Sequence, residues 1–304
     1  MKAIDLFAGA GGFTAGATLA GLDVVFAANH WRSAVDTHAA NHPETLHACQ
    51  DLQQCDWREV PEHDVLLASP ACQGHSKARG KDQPHHDATR STAWSVIAAA
   101  EYHNPELIVV ENVTDFLKWK LYPAWAQALY SLGYAVTGKV IDAADHGVPQ
   151  HRERVFVVAT KSQHPIEFEL PQRDHVGIDQ HIEWDSDGWS EIDKPGRATA
   201  TLERVERGRA EYGDRFVMPY YGNGSGLTGR DVTRPLGTVT TRDRWALVKG
   251  GKMRMLNTTE NKAAMAFPSD YILPPRKSLA LHLLGNAVCP PVACDLLTAI
   301  REAA

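Results

Sequence analysis

Ile4-Asp5-Leu6-Phe7 is a short apolar run that opens into Ala8-Gly9-Ala10-Gly11-Gly12-Phe13. Thr14 to Ala20 then has the composition of a helix. Strand, glycine turn, helix is the opening of a doubly wound nucleotide-binding fold. The glycines let the backbone come close to a ligand, and the helix start offers unpaired N–H groups. Alone, G-x-G-G is a weak signal, because tight glycine turns also arise for purely structural reasons.

The rest of the chain supplies the partners that such a fold needs. Strand-like runs follow at 23–28, 45–48, 64–68, 107–110, 134–136 and 154–159, with helical stretches at 91–102, 123–132 and 292–301. Leu107-Ile108-Val109-Val110 is continuously apolar, as in strands buried on both faces of a parallel sheet. The expected fold class is α/β: a doubly wound, mostly parallel Rossmann-like sheet with a smaller, irregular domain. A chain of 304 residues is long enough for both. Five cysteines, an odd number without a C-x-x-C pair, argue against a disulfide framework or a zinc site and fit a reducing cytoplasm. The N-terminus has no signal-peptide pattern, and no run of 18 apolar residues predicts a membrane span.

Chemistry-bearing residues fall just past the strand ends. After 64–68 comes Ser69-Pro70-Ala71-Cys72-Gln73, where Pro70 ends the strand and places Cys72 on a loop at the ligand-binding edge. A lone Cys is more often a packed thiol. Glu111 ends the buried strand, where a carboxylate is costly without work or a partner; a structural ion pair is the bland alternative. Asn29 and His30 follow the second strand. Asp51 and Leu52 follow the third, and Asp51 is either an adenine acceptor or a turn cap. Arg152 and Arg154 are two apart and would share one face of a strand.

Charge is unevenly spread. Residues 162–196 carry 2 Lys+Arg against 9 Asp+Glu, and residues 197–254 carry 12 against 6. The second tract is either a phosphate-binding surface or an ordinary solvated one.

Taken in order, these pieces resemble the cytosine-C5 DNA methyltransferase family. Asp5 to Phe13 is similar to its S-adenosylmethionine loop, Pro70-Ala71-Cys72-Gln73 to its Pro-Cys-Gln loop, and Glu111-Asn112-Val113 to its Glu-Asn-Val motif. Gln150-His151-Arg152-Glu153-Arg154 is similar to Gln-x-Arg-x-Arg, and Arg234-Pro235 and Gly285-Asn286-Ala287-Val288 to the last two motifs. Two positions depart from the pattern: Ala71 stands where Pro directly precedes the Cys, and Asn29 stands where the family has a ribose-binding Glu.

The resemblance implies S-adenosylmethionine as cofactor and no metal. The cofactor would be held by Phe7, Ala8, Gly9, Gly11, Gly12, Phe13, Asn29, His30, Asp51, Leu52, Pro70, Asn286 and Ala287. It implies Cys72 as nucleophile at carbon 6, Glu111 at N3 and the N4 amine, Arg154 at O2, and Arg152 in support. It implies double-stranded DNA as substrate, contacted by Gln73, Ser76, Lys77, Arg79, Arg230, Arg234, Arg242 and Arg244. The stretch 73–90 would form a loop closing over that DNA. Residues 1–162 and 275–304 would make a catalytic domain and 163–274 a target-recognition domain. A monomer is expected, and a cognate restriction endonuclease is a partner the resemblance admits. The same chemistry on tRNA, or an inactive DNA-binding paralogue, are the alternatives.

Overall fold

The computed structural model describes residues 1–71, 91–220 and 229–303. The chain divides into two compact units. One is made of residues 1–142, 153–171 and those from 287 on; the other of 143–152 and 172–286.

The first unit is built on a seven-stranded sheet. Its strands are β1 (Lys2–Leu6), β2 (Asp23–Asn29), β3 (Leu46–Cys49), β4 (Val65–Ala68), β5 (Leu107–Asn112), β6 (Ala135–Asp142) and β7 (Glu153–Thr160). Their spatial order is β3-β2-β1-β4-β5-β7-β6. Strands β3 through β5 pair in parallel, and β7 runs antiparallel to both its neighbours. This is the mostly parallel, doubly wound sheet expected from the sequence. Every residue of β4 and β5 is buried, which explains their unbroken apolar runs. Winding reverses between β1 and β4, so the loops that leave these two strands face the crevice where such sheets bind ligands.

The α-helices are α1 (Gly12–Leu19), α2 (Arg32–Asn41), α3 (Trp94–His103), α4 (Tyr122–Ser131), α5 (Thr199–Tyr212), α6 (Thr258–Ala264), α7 (Lys277–Asn286) and α8 (Pro290–Ala303). α1 lies against α8 so closely that a Cβ on Gly16 would sit 2.4 Å from Ala293 Cβ and 2.5 Å from the Pro290 carbonyl oxygen. On the sheet, Ile4, Leu6, Leu66, Ile108 and Val157 join Phe116, Trp125 and Leu129 in one core cluster. Residues 277–303 are apolar enough to pass for a membrane span by composition, with a mean hydropathy of 1.5, yet 72% of that window is buried. Burial in protein accounts for the same apolar pattern.

The second unit carries five strands: β8 (Ser190–Glu191), β9 (Arg215–Pro219), β10 (Arg230–Asp231), β11 (Trp245–Lys249) and β12 (Lys252–Met255). They form an antiparallel sheet in the order β10-β9-β11-β12-β8. α5 seals it, with Gly208 so near Phe216 that a Cβ would lie 2.3 Å from its ring. The sequence suggests irregular structure here. The finding differs because β8 and β10 are two residues long, too short to show any alternation. Thr238 to Arg244, which reads as strand, is not one; regular pairing starts only at Trp245.

Candidate active site

The turn after β1 needs unusual backbone angles. Phe7, Gly9 and Gly11 have φ of 61°, 57° and 88°. Glycine takes these at no steric cost, whereas Phe7 is strained and marks a position fixed by its surroundings. Gly11 is the N-cap of α1 and carries no capping side chain; within the first turn the Thr14 N–H is bonded by Asp5 Oδ2. Beside the turn is a recess lined by Ala8, Gly9, Ala28, Asn29, His38 and His47. Phe13 is buried against Phe156, their ring centroids 6.2 Å apart, so it supports the turn from below.

The end of β2 is wired differently from a plain acceptor. Asn29 Oδ1 accepts from the Trp31 N–H at 2.9 Å, which leaves the Asn29 amide protons for any ligand. His30 is exposed beside it. After β3, Asp51 Oδ1 accepts from the Gln53 N–H at 3.0 Å, so the carboxylate caps a short turn, with Leu52 buried beneath it. The cap is the blander of the two readings of Asp51, and the second carboxylate oxygen is left for other work.

Pro70 stands two residues past the end of β4. Its carbonyl accepts from Asn112 Nδ2 at 3.0 Å, and Asn112 Oδ1 takes the Val113 N–H at 2.9 Å. Asn112 is buried at the end of β5, where its NH2 holds Pro70 and its oxygen satisfies the next backbone N–H of its own segment. Cys72 itself, with Gln73, Ser76, Lys77, Arg79 and the rest of 72–90, lies outside the described residues.

Glu111, one residue before Asn112, is 6% exposed. Its Oε1 is 3.2 Å from Arg154 Nε, on the antiparallel neighbour β7. A carboxylate buried there requires such a partner. The pairing fixes both groups at the same sheet edge as the glycine turn and Pro70.

Arg152 is buried. It precedes β7 and belongs to the second unit, where Nη2 donates to the Gly285 carbonyl at 3.0 Å and Nη1 to the Val239 carbonyl at 3.3 Å. β7 begins only at Glu153, so Arg152 lies one residue before the strand that carries Arg154. Gln150 works alongside Arg152, donating to the Ala264 carbonyl at 2.8 Å and accepting from the Val239 N–H at 2.7 Å. Asn286 is exposed at the end of α7, and Ala287 is buried where the chain re-enters the first unit. Of the five arginines expected at DNA, Arg79 lies outside the described residues; Arg234 and Arg242 are exposed and Arg230 and Arg244 half-buried, these four in the second unit.

Sequence reasoning assigned no role to Asn112, Asp5, Thr14 or His38. Asn112 carried a signal, since it sits inside the Glu-Asn-Val match. Asp5 carried one too, as a carboxylate in a fully buried strand. It is 0% exposed, and burial raises its carboxyl to about 7.

A glycine turn and a strand-end carboxylate–guanidinium pair thus stand at the same edge of the sheet. The model of the C-5 cytosine-specific DNA methylase family matches residues 1–187 and 178–302. The chain belongs to that family, and it is an enzyme of the DNA cytosine-C5 methyltransferase class. Type II methyltransferase M.BsuFI of Bacillus subtilis is 28% identical over 98% of this chain and 72% of its own length. M.NlaX of Neisseria lactamica is 28% identical over 96% and 93%, and M.HhaI of Haemophilus parahaemolyticus 26% over 95% and 90%. Among solved structures, the Dnmt2 methyltransferase of S. pombe has a TM-score of 0.71 at 16% identity, covering 99% of this chain and 98% of that one. The Entamoeba histolytica methyltransferase EhMeth has a TM-score of 0.70 at 17% identity, over 99% and 98%. At these identities the structures speak for the fold alone.

Proposed function

We propose that this chain transfers a methyl group from S-adenosylmethionine to carbon 5 of a cytosine flipped out of a short duplex DNA site, through a covalent Cys72–C6 adduct. The observation that carries the reading is the joint placement of Asn112–Pro70 and Glu111–Arg154. One pair anchors the nucleophile's loop, and the other sets an acid and a cation at the same sheet edge.

The glycine turn suits the cofactor: its positive-φ glycines carry no side chain that would keep a ligand from the start of α1, and Asn29 has amide protons to donate. When bound, S-adenosylmethionine supplies the methyl group. The chain's own residues do the rest. The Cys72 thiolate adds to carbon 6, which makes carbon 5 enamine-like. Glu111 holds a proton at N3 and accepts from the N4 amine, so uracil, which lacks that amine, is refused. Arg154 donates to O2 while keeping Glu111 oriented. After transfer the carbon 5 proton leaves to water, the C6–S bond breaks, and the thiolate is restored. The base is unstacked first, at roughly a few kcal/mol, because its ring is otherwise out of reach. Arg230, Arg234, Arg242 and Arg244 are proposed to contact the DNA, with Gln73, Ser76, Lys77 and Arg79. The division into catalytic and target-recognition domains follows the same reading, as does a role in a restriction–modification system.

The test is methyl incorporation from labelled S-adenosylmethionine into duplex DNA and into tRNA. Label in DNA is expected; label in tRNA alone would overturn the reading. A duplex carrying 5-fluorocytosine should trap the wild-type protein covalently and not the Cys72→Ser variant. Binding of duplex DNA with neither label incorporated nor the wild type trapped would favour an inactive DNA-binding protein.

A further inference from the structure

Four side chains of the first unit meet behind the glycine turn. Asp5 Oδ2 accepts the Thr14 N–H at 3.2 Å and lies 2.8 Å from the Thr14 hydroxyl. That hydroxyl is 3.0 Å from His38 Nε2, and His38 Nδ1 is 2.8 Å from His47 Nε2. His47 also bonds the backbone of Thr45. Asp5, Thr14 and His38 are buried, whereas His47 is partly exposed on β3. The mechanism proposed above uses none of them.

We propose that Asp5, Thr14, His38 and His47 form one proton-sharing chain that positions the glycine turn, with His47 as its outlet to solvent. A hydroxyl has one proton to give, and a neutral imidazole has one N–H and one lone pair. Every bond in the chain must therefore point the same way. In one direction Asp5 is protonated and donates to Thr14, Thr14 donates to His38 Nε2, and His38 Nδ1–H donates to His47 Nε2. The other His47 nitrogen then donates to the Thr45 carbonyl, and every ring is neutral. In the opposite direction Asp5 is a carboxylate that accepts from Thr14, Thr14 accepts from His38 Nε2–H, and His38 Nδ1 accepts from His47 Nε2–H. His47, still donating to Thr45, is then an imidazolium.

The two directions hold the same number of protons. The O–H bond at Asp5 breaks, an N–H bond forms on His47, and Thr14 and His38 each take one proton and pass one on. Burial, which pushes Asp5 up to about 7 and His38 well down, favours the neutral direction in mild acid. The other titratable group facing the chain is His42, its ring 4.7 Å from that of His38, and it too is pushed down, first by burial and then by His47. His42 also hydrogen-bonds the backbone of Gly11, the N-cap of α1. When Asp5 is ionised, its bond to the Thr14 N–H is charge-assisted and lies at the positive end of α1. The direction of the chain thus sets how firmly the first turn of α1 is held. The link to cofactor affinity rests on the reading of that turn as the S-adenosylmethionine site.

The experiment is histidine-selective 15N NMR from pH 5 to 8.5 on the wild type, Asp5→Asn and the isosteric Thr14→Val, with backbone spectra reporting the fold. Asp5→Asn mimics the protonated acid, so His38 should be locked as the Nδ1–H tautomer and His47 should titrate at lower pH than in wild type. Thr14→Val should also shift the His47 titration, and it carries the test alone if Asp5→Asn does not fold. Identical His38 tautomers and His47 titrations in folded variants and wild type would overturn the chain. Calorimetric titration with S-adenosylhomocysteine over the same range should show a pH-dependent affinity that Thr14→Val flattens. Affinity that is pH-independent in the wild type would overturn the coupling to the turn. Absence of binding at every pH would overturn the cofactor reading instead, and the histidine spectra would still decide the chain.

Discussion

Asn112 reaches from the end of β5 to the carbonyl of Pro70 at 3.0 Å, and so ties down the chain two residues before Cys72. Ala71 stands where Pro directly precedes the Cys in the family pattern, and the chain at Pro70 is held instead by this side-chain bond. Asn112→Ala leaves a buried carbonyl unpaired, at about 1–3 kcal/mol. It should lower kcat by up to about 100-fold through a misplaced thiolate. Trapping on 5-fluorocytosine should slow in parallel, while binding of S-adenosylhomocysteine changes little.

Arg154 and Arg152 should separate cleanly. Arg154→Lys keeps a charge near Glu111 but loses the guanidinium fork, and kcat should fall by about 100-fold or more with little change in Tm. Arg152→Met leaves the carbonyls of Val239 and Gly285 without their donor, so it should cost about 2–3 kcal/mol in urea unfolding while the folded enzyme keeps near-normal turnover. The opposite pattern would return Arg152 to the reacting base.

Acid stability should reflect two opposing groups. His42 is lowered from 6.5 to about 4 in the folded chain, so its contribution is present above pH 6.5 and is lost as pH falls towards 4. Asp5 is raised from 3.8 to about 7, so its contribution is full below pH 3.8 and is lost as pH rises to 7. Between pH 4 and 6.5 the two partly cancel. Asp5→Asn removes a term on the order of 3 kcal/mol across its window and should make the acid loss steeper. His42→Asn removes a term of about 1–2 kcal/mol after allowing for solvent screening, and should make the loss shallower. Urea midpoints at pH 4.5 and 7 measure both.

Gly16→Ala should be severe. Its new methyl would meet Ala293 and the Pro290 carbonyl at 2.4 and 2.5 Å, and the neighbour is backbone that cannot swing aside. A cost of about 1–3 kcal/mol is expected for overpacking of this kind, read as a drop in Tm.

The parallel sheet was legible because β4 and β5 are buried on both faces and announce themselves as unbroken apolar runs. Glu111 was legible for the converse reason, a charge where none should be. The five-stranded sheet was not, since two of its strands are two residues long and its pairings join residues far apart in sequence. That Arg152 lies just before β7 was not legible, because spacing in sequence cannot show where a strand begins. His38 and Thr14 gave no sign, because nothing local says that 24 positions close to 3.0 Å.

The packing of α1 on α8 has a consequence for how the protein folds. The surface that Gly16 fits, and the Arg301 guanidinium that bonds the Ala20 carbonyl, come from α8, with the two bonded residues 281 positions apart. The helix that leaves the glycine turn is therefore completed by a remote part of the chain, so its docking is a non-local and slow step of folding. A chain cut before Pro290 should leave that groove unfilled and bare its apolar wall.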